Sequence, residues 1–438
     1  MDIALMTLIV WVGLLALMAT GFPVAFSMLG ISAAGYVFFV GPQAFFSVFS
    51  GLYKIATTDV FIACPMFLFM ASLLQVSGMG NRLYAMMYQW MGGLRGGLAM
   101  GTVFICTIIA ATTGLAGTGV IMMGLLAYPE MMKRGYNKDM ATGCIPVGGA
   151  LGPIIPPSVP MILVGTWGGL SVGKLFMAGV FPGILASIFF MAYIAVRCYF
   201  NPKLGPGLPA SERAPWNEKL KSLAGVLAPL FLIILVLGGI YSGACTASEA
   251  GGIGALGAMI VAAGYGNLTW KNLRSAMMTT VRVEGMIGFI TIGGVAFSQY
   301  CGITGVTHFI SDLLAGLPSG PYGILAVMMI VLLILGMFID SVAIIMICLP
   351  VMLPTATSLG FDALWFGFIF TLAVVIGMIT PPFGYNLFYM QALGLEDLTI
   401  KDIYRAVIPY IPLFILVLFL CIVFPELAMY LPNKMLGK

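Results

Sequence analysis

Apolar runs broken by short polar or Gly/Pro-rich stretches make up almost the whole chain, and the runs come in two lengths. About 20 apolar residues are needed to carry a helix across roughly 30 Å of hydrocarbon. Runs of that kind predict helices at about 3–20 and 22–40, turning at Gly21-Phe22-Pro23, and from Tyr53 to Val76 with Asp59 and Pro65 inside it. Further ones fall at about Lys174 to Phe200, 222–240, 247–266, 276–298 and Arg405 to Phe424. The second kind is too short to cross. Gly97 to Ala111 spans roughly 22 Å as a helix. It ends in the small and polar cluster Thr112 to Gly119, and a second short run returns to Lys133-Arg134, which predicts a re-entrant hairpin. A second hairpin has arms from Tyr322 to Met337 and back to Pro350 and Pro354, with Phe338-Ile339-Asp340-Ser341 at its tip. Residues Asn81 to Arg95 and Thr304 to Leu317 read as short interfacial helices.

Two further runs would pass for single spans if they were not interrupted. Gly148 to Ser158 places three glycines, three prolines and a serine inside one, and Gly377 to Gly384 places Thr380-Pro381-Pro382 inside the other. Proline removes a backbone donor and clashes with the preceding turn, so both helices must break. Irregular backbone at membrane depth is tolerated only where it lines protein or a water-filled site. The arms are then Lys138 to Gly152 with Ser158 to about Leu170, and Phe361 to Gly377 with Gly384 to about Gly394. Gly152 and Gly377, Pro156 and Pro381, and Pro157 and Pro382 all lie 225 residues apart. Gly78 with Gly302, Gly97 with Gly320 and Gly135 with Gly360 extend the match at nearly the same offset. The expected architecture is therefore all-α and polytopic, one membrane domain over 1–438. It holds two repeats, about 1–200 and 222–425, joined by a polar linker at about 201–221. Matched interruptions in two halves mark the site of a transporter.

Composition agrees with this. The 438 residues are 61% hydrophobic and 8% charged, with mean hydropathy +1.09, against about 25% charged residues in soluble domains. Roughly ten to twelve membrane segments fit the length. The first run, Ile3 to Ala19, has neither a basic flank nor a cleavage site and reads as a retained helix. Eight scattered cysteines without a C-x-x-C pair predict core packing, and a single His308 in an amphipathic stretch predicts a structural or interfacial role rather than a metal centre. No H-E-x-x-H motif supports an enzyme, and nucleic acid is not an expected partner.

Five crossings separate the two hairpins in this layout, so they enter from opposite faces and the repeat is inverted. Basic residues mark the cytoplasmic side. Fifteen of the 19 fall on one face (Arg82, Arg95, Lys133, Arg134, Lys138, Arg197, Lys203, Arg213, Lys219, Lys221, Lys271, Arg274, Arg282, Lys401 and Arg405). Lys54, Lys174, Lys434 and Lys438 fall on the other. Both termini are then periplasmic in a multi-pass bacterial inner-membrane protein.

Half-helix N-termini suit carboxylates, while unwound carbonyls and hydroxyls suit a small hard cation such as Na⁺. The expected cation ligands are Thr113, Gly114, Thr118, Gly152, Pro156, Asp340, Ser341, Gly377 and Thr380. The expected substrate contacts are Pro157, Ser158, Pro382, Gly384, Asn386 and Arg282. Asp340 is the sharpest, because an intramembrane carboxylate is expensive; its other reading is a helix cap. Thr113, Thr118, Ser158 and Thr380 carry the same alternative. Arg282 also reads as an interfacial residue with a snorkelling side chain.

At three places the chain resembles the large membrane subunit of tripartite ATP-independent periplasmic (TRAP) transporters. These are Gly149 to Ser158, Gly336-Met337-Phe338-Ile339-Asp340, and Thr380-Pro381-Pro382-Phe383-Gly384-Tyr385-Asn386. The resemblance implies Na⁺-driven secondary active uptake of an organic acid, often a C4-dicarboxylate or sialic acid, by an elevator motion of the hairpin domain. It also implies two partners, a periplasmic substrate-binding protein and a small four-helix membrane subunit. The small subunit is expected as a separate chain, since no extra helices precede Met1. At the first tip Thr113-Gly114-Leu115 stands where the family commonly has Ser-Gly-Ser. Leucine offers no side-chain oxygen, so backbone carbonyls are the ligands expected there. The competing expectation is a self-sufficient Na⁺/dicarboxylate symporter.

Overall fold

The computed structural model describes residues 2–316, 318–395 and 398–435. Lys438 and Leu317, named above, lie outside the described residues. In chain order the helices are α1 (Ile3–Ala19), α2 (Val24–Gly35, continued by a π turn over Tyr36–Val40), α3 (Phe45–Ala56), α4 (Asp59–Val76), α5 (Met79–Met91), α6 (Gly97–Thr113) and α7 (Ala116–Lys133). There follow α8 (Lys138–Gly149), α9 (Val159–Gly168), α10 (Val172–Phe200), α11 (Trp216–Tyr241), α12 (Ala247–Gly264), α13 (Trp270–Thr304) and α14 (Val306–Ala315). The last are α15 (Gly320–Phe338), α16 (Ser341–Ser358), α17 (Ala363–Gly377), α18 (Tyr385–Gln391), α19 (Ile400–Val407), α20 (Ile411–Val423) and α21 (Glu426–Lys434). Seven helical segments among the described residues are long and apolar enough to cross a membrane, with shorter apolar helices such as α6, α9 and α17 between them. The count is below ten because the interrupted runs contribute half-length helices.

The structure corrects several boundaries. The helix expected from Tyr53 to Val76 is two helices, α3 and α4, bent by 54°. The Thr57 and Thr58 hydroxyls donate to the carbonyls of Tyr53 (2.8 Å) and Ile55 (2.6 Å), satisfying the end of α3. Asp59 therefore sits in the first turn of α4, where a carboxylate complements the helix dipole, and not in the middle of a longer helix. Residues 216–221, read as linker, form the start of α11. α13 is longer than expected at both ends, the last span begins as α19, and α21 was not foreseen.

Helices α2, α4, α11, α12 and α13 pack as one bundle, while α6 to α10 pack with α16 to α20 as another. The second bundle holds the broken helices, and α8, α9 and α17 are buried on nearly every face. A half-helix exposes unpaired carbonyls and N–H groups, so it is stable only when enclosed by protein. α11 instead presents Leu227, Phe231 and Ile234 outward, as lipid-facing helices do.

Left-handed glycines recur at matched positions: Gly21 and Gly243, Gly41 and Gly266, Gly78 and Gly305, Gly96 and Gly320, Gly135 and Gly360, Gly169 and Gly394. The residues involved differ in part from those read in the sequence, since Gly305 takes the place given to Gly302, and Gly96 that given to Gly97. Asn137 and Asp362, again 225 apart, cap α8 and α17 through their side chains.

The linker is held against the first arm. The Gly96 N–H donates to the Gly205 carbonyl (2.8 Å), the Leu208 N–H to Gly92 (2.8 Å) and the Asn137 N–H to Leu204 (3.0 Å). Arg134 pairs with Glu130 and Glu212, and the Trp90 indole donates to the Lys219 carbonyl (3.0 Å).

Candidate substrate and ion site

Two tips and two breaks converge where the bundles meet. At the first tip α6 ends on Gly114, which is left-handed at φ +63°, and extended Leu115 leads into α7. No side chain caps α7, so its first N–H groups are presented outward from the helix end. At the second tip extended Ile339 is followed by Asp340, whose Oδ2 accepts the Val342 N–H at 3.0 Å and caps α16. The capping alternative for Asp340 is thus realised, and the carboxylate still faces the site.

The breaks brace the tips through backbone contact. Gly114 lies so close to Pro157 that a Cβ on it would stand 2.2 Å from the Pro157 carbonyl oxygen, and one on Gly152 would stand 2.8 Å from that of Leu115. In the second half the Gly384 N–H donates to the Met337 carbonyl (2.9 Å), and Gly377 abuts Gly336 with equal tightness. Both breaks contain a cis proline, at Pro156-Pro157 and Pro381-Pro382.

These elements enclose a cavity of about 260 Å³. Gly114 to Thr118, Pro153, Val159, Asp340 to Val342, Met378, Tyr385 and Tyr389 line it from the second bundle. Gln75 of α4 and Thr279, Val283, Met286 and Ile287 of α13 form the opposite wall. Asp340 is the only charged side chain among its lining residues.

Of the expected site residues, Gly114, Thr118, Asp340 and Ser341 line this cavity. The others stand behind it or apart. Gly152 and Pro157 back the first tip, Pro156 lies in the same break outside the lining, and Ser158 donates to the Pro153 carbonyl (2.5 Å) while capping α9. The Thr113 and Thr380 hydroxyls donate to Ile109 (2.9 Å) and Ile376 (2.7 Å), the back-bonding expected of threonine in a helix. Gly377 and Gly384 serve packing, and the Pro382 carbonyl accepts the Tyr404 hydroxyl. Asn386 is fully buried with both amide atoms unpartnered, a costly arrangement in the absence of a ligand. Arg282 is exposed and outside the lining; the face of α13 turned to the cavity carries its neighbours Thr279, Val283, Met286 and Ile287.

Tyr385, Tyr389 and Gln75 were not anticipated. The tyrosines lie four apart at the start of α18, a spacing that puts them on one helix face and was legible beside the break. Their rings meet edge to face at 5.2 Å, with Tyr389 lying against Gly117 of the first tip. Nothing in the sequence pairs Gln75 with a tip some forty residues later.

An apolar all-helical chain that folds two tips and two broken helices around one mostly apolar cavity holding a single carboxylate has the build of a membrane transporter. The chain belongs to the DctM component of the tripartite ATP-independent periplasmic transporters, whose family model matches residues 11–427. It is 31% identical to the C4-dicarboxylate TRAP transporter large permease protein DctM of Pseudomonas aeruginosa, over 92% of this chain and 93% of that protein. It is 28% identical to the ectoine TRAP transporter large permease protein TeaC of Halomonas elongata, over 97% and 99%. Its fold is shared with the YdaH transporter of Alcanivorax borkumensis, at a TM-score of 0.65 and 14% identity over 94% of this chain and 98% of that one. The protein is thus a multi-pass inner-membrane permease subunit, and its family implies a small membrane subunit and a periplasmic binding protein as partners.

Proposed function

We propose that this chain is the translocating subunit of a Na⁺-coupled importer for a small organic acid delivered by a periplasmic binding protein, with a four-helix small subunit beside it. The observation that carries the reading is Asp340 in a cavity that also receives the uncapped start of α7. An acid bound there meets helix N–H groups on one side and a carboxylate on the other. Like charges in one low-dielectric site repel strongly. Na⁺ at Asp340 neutralises that carboxylate and removes the repulsion, so acid binding depends on the cation, and coupling follows. Ser341, the backbone around Gly114 and Thr380, and the orphaned Asn386 amide are the oxygen sources for such ions. The cavity is near the small end of ligand pockets, which begin at about 300 Å³. The wall from α13 is largely apolar, as suits a surface along which the bundle of tips and breaks slides in an elevator cycle.

Proteoliposomes holding only this chain are expected to be silent, with Na⁺-dependent uptake appearing once the small subunit and the cognate binding protein are both present. Robust uptake by the lone chain would favour the self-sufficient symporter.

The inverted repeat has its own test. Ser211 and Ser319 are both exposed. Single cysteines at these positions, in a background without the eight native ones, should react with impermeant reagents from opposite faces. Labelling from the same face rules the inversion out.

A further inference from the structure

We infer that a cleft between α10, α8 and the start of the last span binds the phosphate of an anionic phospholipid. The cleft is separate from the cavity above, has a volume of about 360 Å³, and is lined by Arg197, Arg405, Tyr193, Asn137 and Asp139, with Tyr410 at its base. Arg197 Nη1 donates to the Tyr193 hydroxyl at 2.7 Å, which holds the guanidinium at the cleft. Arg405 pairs through Nε with Asp139 at 3.2 Å, yet its side chain is 80% exposed. Two guanidinium forks against one carboxylate leave a net positive charge, and a phosphodiester matches that fork geometry.

The placement selects a lipid over other anions. Arg197 lies three residues before the end of α10, and Arg405 lies just ahead of the apolar run of α20. Both therefore stand where the hydrocarbon region of the membrane gives way to headgroups. Exposed apolar side chains continue from the cleft into the membrane along both helices: Ile188 and Ile184 on α10, Ile408 beside the lining Pro409, and Ile415 and Phe419 on α20. α10 and α20 pack side by side, so acyl chains can follow their outer seam while the headgroup sits in the cleft. Basic pockets between membrane helices are established headgroup sites in general, at about 1 kcal/mol for each cation near the surface.

The test uses the full chain purified in neutral detergent, with lipid adducts counted by native mass spectrometry. Dioleoylphosphatidylglycerol should bind in preference to dioleoylphosphatidylcholine. Its apparent affinity should fall by about fivefold for each of Arg197→Gln and Arg405→Gln. Asp139→Asn removes the competing carboxylate and should raise the affinity by a similar factor, a gain that misfolding cannot produce. Equal binding by parent and arginine variants overturns the proposal, as does a lack of gain in Asp139→Asn. If about 10 mM inorganic phosphate displaces the phosphatidylglycerol completely, the cleft is a free-anion site and the lipid assignment fails.

Discussion

Gly114→Ala is expected to abolish transport while the chain still inserts into the membrane. Gly114 is left-handed, a conformation that costs an L-residue roughly 1–2 kcal/mol. Its added methyl would also stand 2.2 Å from the Pro157 carbonyl oxygen and 3.0 Å from the carbonyl carbon. That neighbour is backbone inside a fully buried break, so it cannot turn aside as a flexible side chain would. Overpacking of this kind costs about 1–3 kcal/mol more. Gly135 is the natural control, since it is left-handed at φ +75° but has nothing within 4 Å of a built Cβ. Gly135→Ala should show only the conformational cost, a small fall in melting temperature with uptake retained. Similar behaviour of the two variants, in melts and in reconstituted uptake, would show that the contact between tip and break is not what holds the site.

Asp340→Asn separates the two roles of this residue. Asparagine caps a helix start as well as aspartate does, so α16 should keep its first turn and the melting temperature should change little. Charge is what the substitution removes. A tenfold loss of cation affinity corresponds to about 1.4 kcal/mol, and losing a carboxylate ligand plausibly costs one to two such steps. Half-maximal uptake should then need about 10–100 times more Na⁺ at unchanged expression. An unaltered Na⁺ dependence would make Asp340 structural and move the ion site elsewhere, with the buried Asn386 amide as the next place to test.

Much of this architecture could be read from proline and glycine. The pairs Pro156-Pro157 and Pro381-Pro382 mark both breaks, because no continuous helix accommodates them. The tip near Gly114 follows from a run too short to cross, whereas the arms on either side of Asp340 are each long enough to cross, and that tip is marked in the sequence only by Asp340-Ser341 between them. What escaped the reading depended on neighbours remote in sequence or on helix rotation. Arg282 was placed at the substrate, yet α13 turns the adjacent Val283 inward. The bend at Thr57-Thr58 was hidden because threonine is common in apolar helices, and only the structure shows its hydroxyls terminating one. The glycine matches slipped by one to three residues, since apolar sequence does not say which of several nearby glycines must be left-handed.

The linker's attachments bear on how this architecture tolerates change. Leu208 is bonded to Gly92 at one end of the exposed stretch, and Lys219 to Trp90 at the other, so both ends are stitched to α5. Ala210 and Ser211 between them are exposed and form only a local turn, in which the Ala210 carbonyl accepts the Arg213 N–H at 3.4 Å. Lengthening a flexible loop costs only about 0.6 kcal/mol for each doubling. Each bundle draws helices from both sides of this loop, so packing rather than the loop's length keeps them together, and the loop is where the chain is expected to accept inserted sequence.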